Sequence, residues 1–265
     1  MTTTQKYALI TGATSGIGHE LAKLFAEAQY NLVIVARNTD ALERVASELK
    51  SAYQVDVLTI EKDLFKRESP FEVHEEVKRR GIHIDVLVND AGQGQYGEFA
   101  EIDIHREIDI IQLNVIAYVV LSKLFLQDML AKGEGKILNV SSIGAEVPGP
   151  LQAVYHATKA FVTSFSEAIR SEYKDKNITI TALEPGITDT DFFRKAEQED
   201  AKMVKEGSPA DPAKVAKDGF EALMSGDDKI VSGLKNKAMV GSSNVLPDST
   251  VADMMHKGME PSEEK

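Results

Sequence analysis

The stretch Thr11-Gly12-Ala13-Thr14-Ser15-Gly16-Ile17-Gly18 decides the fold, because it joins a short apolar strand to an amphipathic helix. Its glycines let the backbone turn tightly and approach a ligand closely. The helix that follows offers free N–H groups and the positive end of its dipole, a combination that binds a pyrophosphate. The spacing therefore predicts a phosphate-binding turn, and a glycine-rich turn without a ligand is the alternative reading of this stretch taken alone.

Strands alternate with helices from this turn to about residue 180, and most predicted strands are nearly continuous aliphatic runs. Such runs are typical of parallel strands that are buried on both faces. Besides the strand at 7–11, we predict strands at 31–36, 55–60, 85–89, 136–140, 178–183 and 229–232. The alternation predicts an α/β fold, a Rossmann-like, doubly wound and mostly parallel sheet of about seven strands with helices on both faces.

Composition excludes several classes of function. The 265 residues carry 42 Asp and Glu against 30 Lys and Arg, a net charge of −12, which disfavours binding to nucleic acid. The absence of cysteine excludes disulfides, thiol catalysis and cysteine-bound metals, and no cluster of His, Asp and Glu indicates another metal site. The longest central apolar run, 115–121, is far shorter than the ~20 residues of a membrane span. We therefore expect a cytoplasmic protein with no membrane partner.

We expect a single domain over residues 1–265, because no repeat or linker divides the chain. The charged segment at about 187–210 is weakly patterned and is interpreted as a lid over the substrate or as a solvated helical insertion. The polar tail from about residue 254 is expected to fray.

Five further motifs follow the glycine turn in a fixed order. They are Asn89-Asp90-Ala91-Gly92, Asn114, Ser141-Ser142, Tyr155 with Lys159, and Pro185-Gly186. Together with the glycine spacing G-x-x-x-G-x-G, they resemble the short-chain dehydrogenase/reductase family over about residues 5–190. The resemblance implies an oxidoreductase that moves a hydride between a nicotinamide cofactor and a small carbonyl or alcohol substrate. Asp90 departs from the family, which usually has Asn there, and the C-terminal third contains no motif that we can assign to a substrate.

The end of the second strand indicates which cofactor is bound. Folds that prefer NAD place a carboxylate there, whereas this strand ends in Ala36-Arg37-Asn38. Arg37 can pair with a 2′-phosphate through charge-assisted bonds, which predicts NADP(H) as the preferred cofactor and leaves NAD(H) possible. The resemblance implies further cofactor contacts at Gly12, Thr14, Ser15, Gly16, Ile17, Gly18, Asp63, Leu64, Asn89, Ala91, Gly92, Tyr155, Lys159, Pro185, Gly186, Ile187 and Thr190.

Tyr155 and Lys159 lie four residues apart on a predicted helix and so share one face. A nearby ammonium lowers the pKa of a phenol, which would bring Tyr155 towards a useful acid–base range. Ser142 ends a strand at the sheet edge where ligands bind, and we prefer it to Ser141, whose side chain points to the opposite face.

The resemblance assigns roles to these residues: Tyr155 donates the proton, Ser142 steadies the substrate oxygen, Lys159 binds the ribose, and Asn114 holds a water beside Lys159. We also expect Gln93 and Gln152 to contact the substrate.

Two other functions stay open at this point: an NAD-dependent alcohol dehydrogenase of the same family, and a catalytically silent sensor that only binds the dinucleotide. A serine hydrolase is excluded, since the chain has no G-x-S-x-G turn. The resemblance also implies a homodimer or homotetramer that pairs the helices at about 103–132 and 153–174. Leu121, Leu124, Phe125, Phe161 and Phe165 belong either to that interface or to the core.

Overall fold

The computed structural model describes residues 5–243 and 246–262. The strands within these residues are β1 (Tyr7–Thr11), β2 (Asn31–Ala36), β3 (Val57–Glu61), β4 (Val86–Asn89), β5 (Gly135–Val140), β6 (Ile178–Glu184) and β7 (Lys229–Val231). They form one sheet in the order β3-β2-β1-β4-β5-β6-β7, and every neighbouring pair is parallel. The predicted fold class is confirmed, and the predicted strands differ from the observed ones by no more than two residues at either end.

Helices connect the strands and cover both faces of the sheet. Those within the described residues are α1 (Gly16–Glu27), α2 (Thr39–Tyr53), α3 (Ser69–Arg79), α4 (Ile104–Ile111), α5 (Ala117–Lys132), α6 (Ala153–Tyr173), α7 (Phe192–Lys195), α8 (Lys202–Lys205), α9 (Pro212–Ser225), α10 (Leu234–Ser243) and α11 (Asp248–Met259). A π-helical segment (Gln112–Ile116) joins α4 to α5, and a short 3₁₀ helix (Ile143–Glu146) follows β5.

Two hydrophobic layers sandwich the sheet, because successive strand residues point to opposite faces. Ala8 and Ile10 of β1 pack with α1, α2 and α9 on one face, whereas Leu9 packs with α3 and α5 on the other. All three side chains are fully buried. This two-sided burial explains why β1 is an aliphatic run without alternating polar residues.

The strand order reverses between β1 and β4, which are neighbours in the centre of the sheet. In open α/β sheets a ligand binds in the crevice that this reversal leaves at the carboxyl ends of the strands. The glycine turn follows β1 and the Asn89–Gly92 motif follows β4. The topology therefore brings both motifs to the same edge of the sheet.

The continuous helical stretch Ile104–Lys132 has the length and apolar composition of a membrane span, alone among the helices of the described residues. A core helix meets the same test, and Leu121 and Phe125 of this stretch are 1% exposed in the core. Other apolar side chains lie on the solvent-exposed face of this stretch. The apolar composition of the stretch therefore comes from both buried and exposed residues.

The tail differs from the expected fraying. Helix α11 is formed, Met259 is 3% exposed, and Pro261 pairs with Ala201 in an isolated β-bridge. Lys202 N–H donates to the Glu260 carbonyl, and Ser262 N–H donates to the Asp200 carbonyl. These backbone bonds dock the tail as far as residue 262 onto the segment 187–210; residues 263–265 lie outside the described part of the chain.

Candidate active site

Ser142, Tyr155 and Lys159 converge above the carboxyl end of β5. The Ser142 hydroxyl accepts a hydrogen bond from the Gly144 N–H at 3.0 Å and lies close enough to the Tyr155 hydroxyl to lower its pKa. Lys159 lies one helical turn after Tyr155, and its Nζ is 5.9 Å from the centre of the Tyr155 ring. Ser141 instead donates to the Lys159 carbonyl at 2.9 Å, away from the phenol. Ser142 is therefore the serine beside the tyrosine hydroxyl.

The pKa of Tyr155 does not follow the sequence-based expectation. Burial raises it to about 12, and only the hydrogen bond from Ser142 opposes that rise. The Lys159 ammonium donates to the Val140 carbonyl at 2.8 Å and makes no hydrogen bond to the phenol hydroxyl. Burial also lowers the pKa of Lys159 to about 8, while the charge of Asp90 partly opposes that fall. The expected lowering of the Tyr155 pKa is thus wrong for the protein alone, and the phenol is protonated at neutral pH.

Asn114 lies in the π-helical segment and is fully buried. Its amide accepts from the Gln93 N–H at 3.0 Å and donates to the Gln93 carbonyl at 2.8 Å. A second N–H of the same amide donates to Thr158 Oγ1 at 3.0 Å. Both amide protons are therefore used by the protein, and Asn114 fixes the loop after β4 to α6. Its role in holding a water beside Lys159 stays a prediction.

The glycine turn rests on the Asp90 carboxyl. A Cβ atom added to Gly18 would stand 2.4 Å from Asp90 Oδ2 and 2.6 Å from the Gly12 carbonyl oxygen, so no larger residue fits there. The Gly18 N–H lies close enough to this carboxyl to lower its pKa. Burial raises the pKa of Asp90 to about 7, against the opposing effect of Lys159. The departure from the family motif thus places a titratable group under the turn.

The end of β2 forms a cationic corner of the site. The Arg37 guanidinium lies 4.9 Å from the centre of the Phe65 ring, and its Nε is 3.9 Å from Asp63 Oδ1. Asp63 also accepts from the Phe65 N–H at 3.2 Å, which fixes the carboxylate in the loop after β3. The Arg37 side chain is 52% exposed and so remains accessible to a ligand.

One cleft of about 990 Å³ joins these features. Three predicted residues do not line it: Gly18, Asn89 and Asn114. Asn89 is buried, and its amide donates to Ser122 Oγ at 3.1 Å and to Asn139 Oδ1 at 2.9 Å, so it holds neighbouring strands and helices together. The other predicted residues all line the cleft: Gly12, Thr14, Ser15, Gly16, Ile17, Arg37, Asp63, Leu64, Ala91, Gly92, Gln93, Ser142, Gln152, Tyr155, Lys159, Pro185, Gly186, Ile187 and Thr190.

The charge lining the cleft is opposite in sign to that of the whole chain. Seven basic side chains line it within the described residues, against three acidic ones, although the net charge is −12. The basic residues are Arg37, Arg44, Lys62, Lys159, Lys195, Lys214 and Lys235, and the acidic ones are Asp63, Asp90 and Asp191. Low-dielectric walls concentrate this local field, which favours an anionic ligand.

Sequence reasoning missed part of the apolar lining of the cleft. Met239, Met255 and Met259 line it together with Phe192 and Met203, which belong to the predicted segment 187–210. They come from α8, α10, α11 and α7, whose contacts with the cleft depend on tertiary packing and not on a local motif. It also missed Arg106, which donates to Gln93 Oε1 at 2.8 Å and holds the predicted substrate residue in place. Arg106 lies in α4, whose sequence IHREIDII also contains a histidine and two acidic residues, so no local pattern marked it.

Comparison with known proteins agrees with this geometry. A family model for short chain dehydrogenases matches residues 6–201. A very-long-chain 3-oxoacyl-CoA reductase of Mus musculus is 35% identical over 191 residues, covering 70% of this chain and 60% of that protein. An NADP-dependent 3-hydroxy acid dehydrogenase of Schizosaccharomyces pombe is 32% identical over 217 residues, covering 80% of this chain and 84% of that protein.

Among solved structures, a short-chain dehydrogenase from Sphingobium yanoikuyae in complex with NADPH is 26% identical and superposes with a TM-score of 0.81. That match covers 91% of this chain and 94% of the other. The chain belongs to the short chain dehydrogenase family. It spans about 60% of the length of the mouse relative.

Proposed function

We propose that this chain is an NADP(H)-dependent reductase of ketones or aldehydes, which also runs in reverse to oxidise the alcohol. The observation that carries this proposal is the placement of Tyr155 in the cleft beside Ser142, with the buried Lys159 one helical turn later. The Tyr155 hydroxyl carries the proton that a carbonyl oxygen takes up as it gains negative charge, which is the role of a general acid.

The cleft fits a phosphorylated dinucleotide. Ser15 caps α1 without a side-chain hydrogen bond, so the first N–H groups of that helix are available to a pyrophosphate where Ser15, Gly16 and Ile17 line the cleft. The exposed Arg37 at the end of β2 suits a 2′-phosphate, and β2 carries no carboxylate that would repel one. Arg37 and the absence of a carboxylate in β2 support NADP(H) over NAD(H), whereas the pyrophosphate site serves either cofactor.

The residues divide the chemistry as follows. When bound, the nicotinamide cofactor supplies or takes up the hydride. Tyr155 gives its hydroxyl proton to the substrate oxygen, and the Ser142 hydroxyl hydrogen-bonds the same oxygen as its negative charge develops. The Lys159 ammonium is held 2.8 Å from the Val140 carbonyl and stabilises negative charge on the nearby phenol after it has lost its proton.

The substrate class that we propose is a 3-oxoacyl or 3-hydroxyacyl compound. The two curated relatives described above are named for a 3-oxoacyl-CoA and a 3-hydroxy acid, which share an oxygen function at the third carbon. The methionine-rich end of the cleft supports an apolar substituent, because flexible thioether side chains adapt to irregular apolar groups.

Replacing Tyr155 with Phe tests the proposed reaction. We expect Tyr155→Phe to bind NADPH as tightly as the original protein but to lower turnover of carbonyl substrates by about 10²- to 10⁴-fold, since it removes the general acid. Turnover is measured by NADPH consumption over aldehydes, ketones, quinones, keto-steroids and 3-oxoacyl thioesters, and binding by cofactor fluorescence.

Tyr173→Phe, at the end of the same helix and outside the cleft, is the control. Normal turnover in Tyr155→Phe would overturn the assignment of the proton donor. Cofactor binding without turnover of any carbonyl by the original protein would instead favour a dinucleotide sensor.

A further inference from the structure

His156 is a buried histidine next to Tyr155, and the reaction proposed above gives it no role. It follows Tyr155 in α6, is 6% exposed and lines the cleft. The two rings pack edge to face, with their centres 5.8 Å apart. Because neighbouring residues of a helix are rigidly joined, any backbone that contacts the His156 ring is also fixed relative to Tyr155.

The segment 143–149, between β5 and α6, is packed around the His156 ring. A Cβ atom added to Gly149 would stand 2.1 Å from His156 Cδ2, and one added to Gly144 would stand 3.1 Å from His156 Cε1. Glycines near the two ends of the segment therefore contact the same ring. No side chain fits at Gly149 unless the ring or the segment moves.

His156 also binds the backbone of this segment. Its Nδ1 lies 3.0 Å from the Val147 carbonyl oxygen. Burial lowers the pKa of the ring below its ordinary value, against the opposing effect of the Val147 and Gly144 backbone, so the ring is neutral at pH 7 and carries one N–H. Since a carbonyl oxygen can only accept, that proton lies on Nδ1. The ring therefore donates a buried hydrogen bond to the segment 143–149.

The same segment holds Ser142. The Gly144 N–H donates to Ser142 Oγ at 3.0 Å, and the Ala145 N–H donates to the Ser142 carbonyl at 2.9 Å. Gly144 thus contacts both the His156 ring and the Ser142 hydroxyl. A displacement of the segment would misplace this hydroxyl relative to Tyr155, and misplacing a group that stabilises the reacting oxygen slows the reaction.

We propose that His156 is a positioning residue for the carbonyl reduction: its ring and its Nδ1–H hold the segment 143–149 so that the Ser142 hydroxyl stays beside that of Tyr155. His156 exchanges no proton with the substrate. This inference rests on the proposed reductase activity and adds to it a residue that acts through Ser142. It also accounts for glycine at positions 144 and 149.

Replacements of His156 separate its hydrogen bond from its bulk. Leucine keeps most of the volume but has no donor, whereas asparagine places an amide N–H at the position of Nδ1. We expect His156→Leu to lower kcat about 10-fold and to leave KM for NADPH within about 3-fold, and His156→Asn to keep kcat within about 3-fold of the original protein. NADPH consumption with the best carbonyl substrate of the panel above measures both constants.

A double-mutant cycle shows whether His156 acts through Ser142. In Ser142→Ala no hydroxyl remains to be positioned, so adding His156→Leu should lower kcat by less than about 3-fold. Gly149→Ala, whose methyl group would displace the ring, should behave like His156→Leu in both backgrounds and carries the same cycle if His156→Leu does not fold. An equal loss with and without the Ser142 hydroxyl overturns the proposal, since a purely structural role would lower kcat in both backgrounds.

His74→Leu is the matched control. His74 is also largely buried, its Nε2 lies 2.8 Å from Asp128 Oδ2, and it does not line the cleft. The same loss of a hydrogen-bonded ring should therefore lower the melting temperature and leave kcat unaltered.

Hydrogen exchange of the segment 143–149, measured by mass spectrometry, needs no turnover. Exchange should become faster in His156→Leu and stay as in the original protein in His156→Asn. Unchanged exchange in folded His156→Leu overturns the proposal. Absence of turnover of every carbonyl by the original protein overturns the proposed activity, and the exchange rates still decide whether His156 holds the segment.

Discussion

Arg37 is the residue on which the choice of cofactor depends. Its guanidinium stacks on Phe65 but has only a weak contact with Asp63, so its hydrogen-bonding capacity is largely free. We expect Arg37→Asp to lower kcat/KM for NADPH by about 10- to 100-fold, because a charge-assisted bond is replaced by repulsion, and to raise the relative rate with NADH. Steady-state rates with both cofactors measure this change.

Arg67→Asp makes the same charge change at an exposed position outside the cleft and should leave the ratio of the two cofactors unaltered. If Arg37→Asp also leaves that ratio unaltered, Arg37 does not bind the 2′-phosphate. A preference of the original protein for NADH would favour the NAD-dependent alternative.

Asp90 makes stability depend on pH. Burial raises the pKa of the folded Asp90 carboxyl to about 7, well above its ordinary value, so its contribution to stability is present below the unfolded pKa and is lost as pH rises through the folded value. Asp90→Asn cannot ionise. We expect the free energy of unfolding of this variant, relative to the original protein, to increase by about 1–3 kcal/mol between pH 4 and pH 8.

Urea unfolding at several pH values measures the difference. Asp175→Asn, on an exposed turn, is the control and should follow the original protein across the range. A constant difference between Asp90→Asn and the original protein at every pH would show that folding does not shift the pKa of Asp90.

At the scale of single elements, the first turn of α1 leaves no space for a side chain at Gly18. Gly18→Ala would place a methyl group 2.6 Å from the Gly12 carbonyl oxygen, a backbone atom that cannot move without distorting the turn. We expect a loss of about 1–3 kcal/mol in the free energy of unfolding and weaker NADPH binding. Denaturant unfolding and cofactor fluorescence measure the two effects.

Gly241→Ala in α10 is the matched control, because nothing lies within 4 Å of its added Cβ. A helical glycine with free space should gain stability by about 0.5–1 kcal/mol on this change. Equal behaviour of the two variants would mean that the turn after β1 tolerates a side chain.

The strands and the tail also differ in how well the sequence predicts them. The strands were predictable because burial on both faces leaves an aliphatic run, as in Asn31–Ala36, which the structure reproduces without change. The docked tail was not, because Lys202 and Ser262 bond to backbone groups that any residue would provide. Within the site, Tyr155 and Lys159 were found by spacing, whereas the direction of the Tyr155 pKa depends on burial, which spacing does not report.

For the whole molecule, one outer face remains apolar. Ile104 and Ile108 of α4 are 59% and 53% exposed, and Phe161 of the adjoining α6 is 41% exposed. Leu121 and Phe125, which the sequence assigned either to an interface or to the core, belong to the core. An apolar patch of this kind favours self-association, which fits the expected homo-oligomer.

We expect Phe161→Glu to lower the oligomeric state, because it would bury an unpaired charge in such an interface. Size-exclusion chromatography with light scattering measures the mass, and Met224→Glu, at an exposed apolar position on α9, is the control. A monomeric mass for the original protein at micromolar concentration would contradict the assembly.

The bond between the Tyr96 hydroxyl and the Met259 carbonyl spans 163 positions of the chain. Because α11 follows β7 in the chain, the ribosome makes every strand of the sheet and the glycine turn before it makes the α11 residues that line the cleft. The glycine turn and the α11 residues that line the same cleft are thus synthesised at different times.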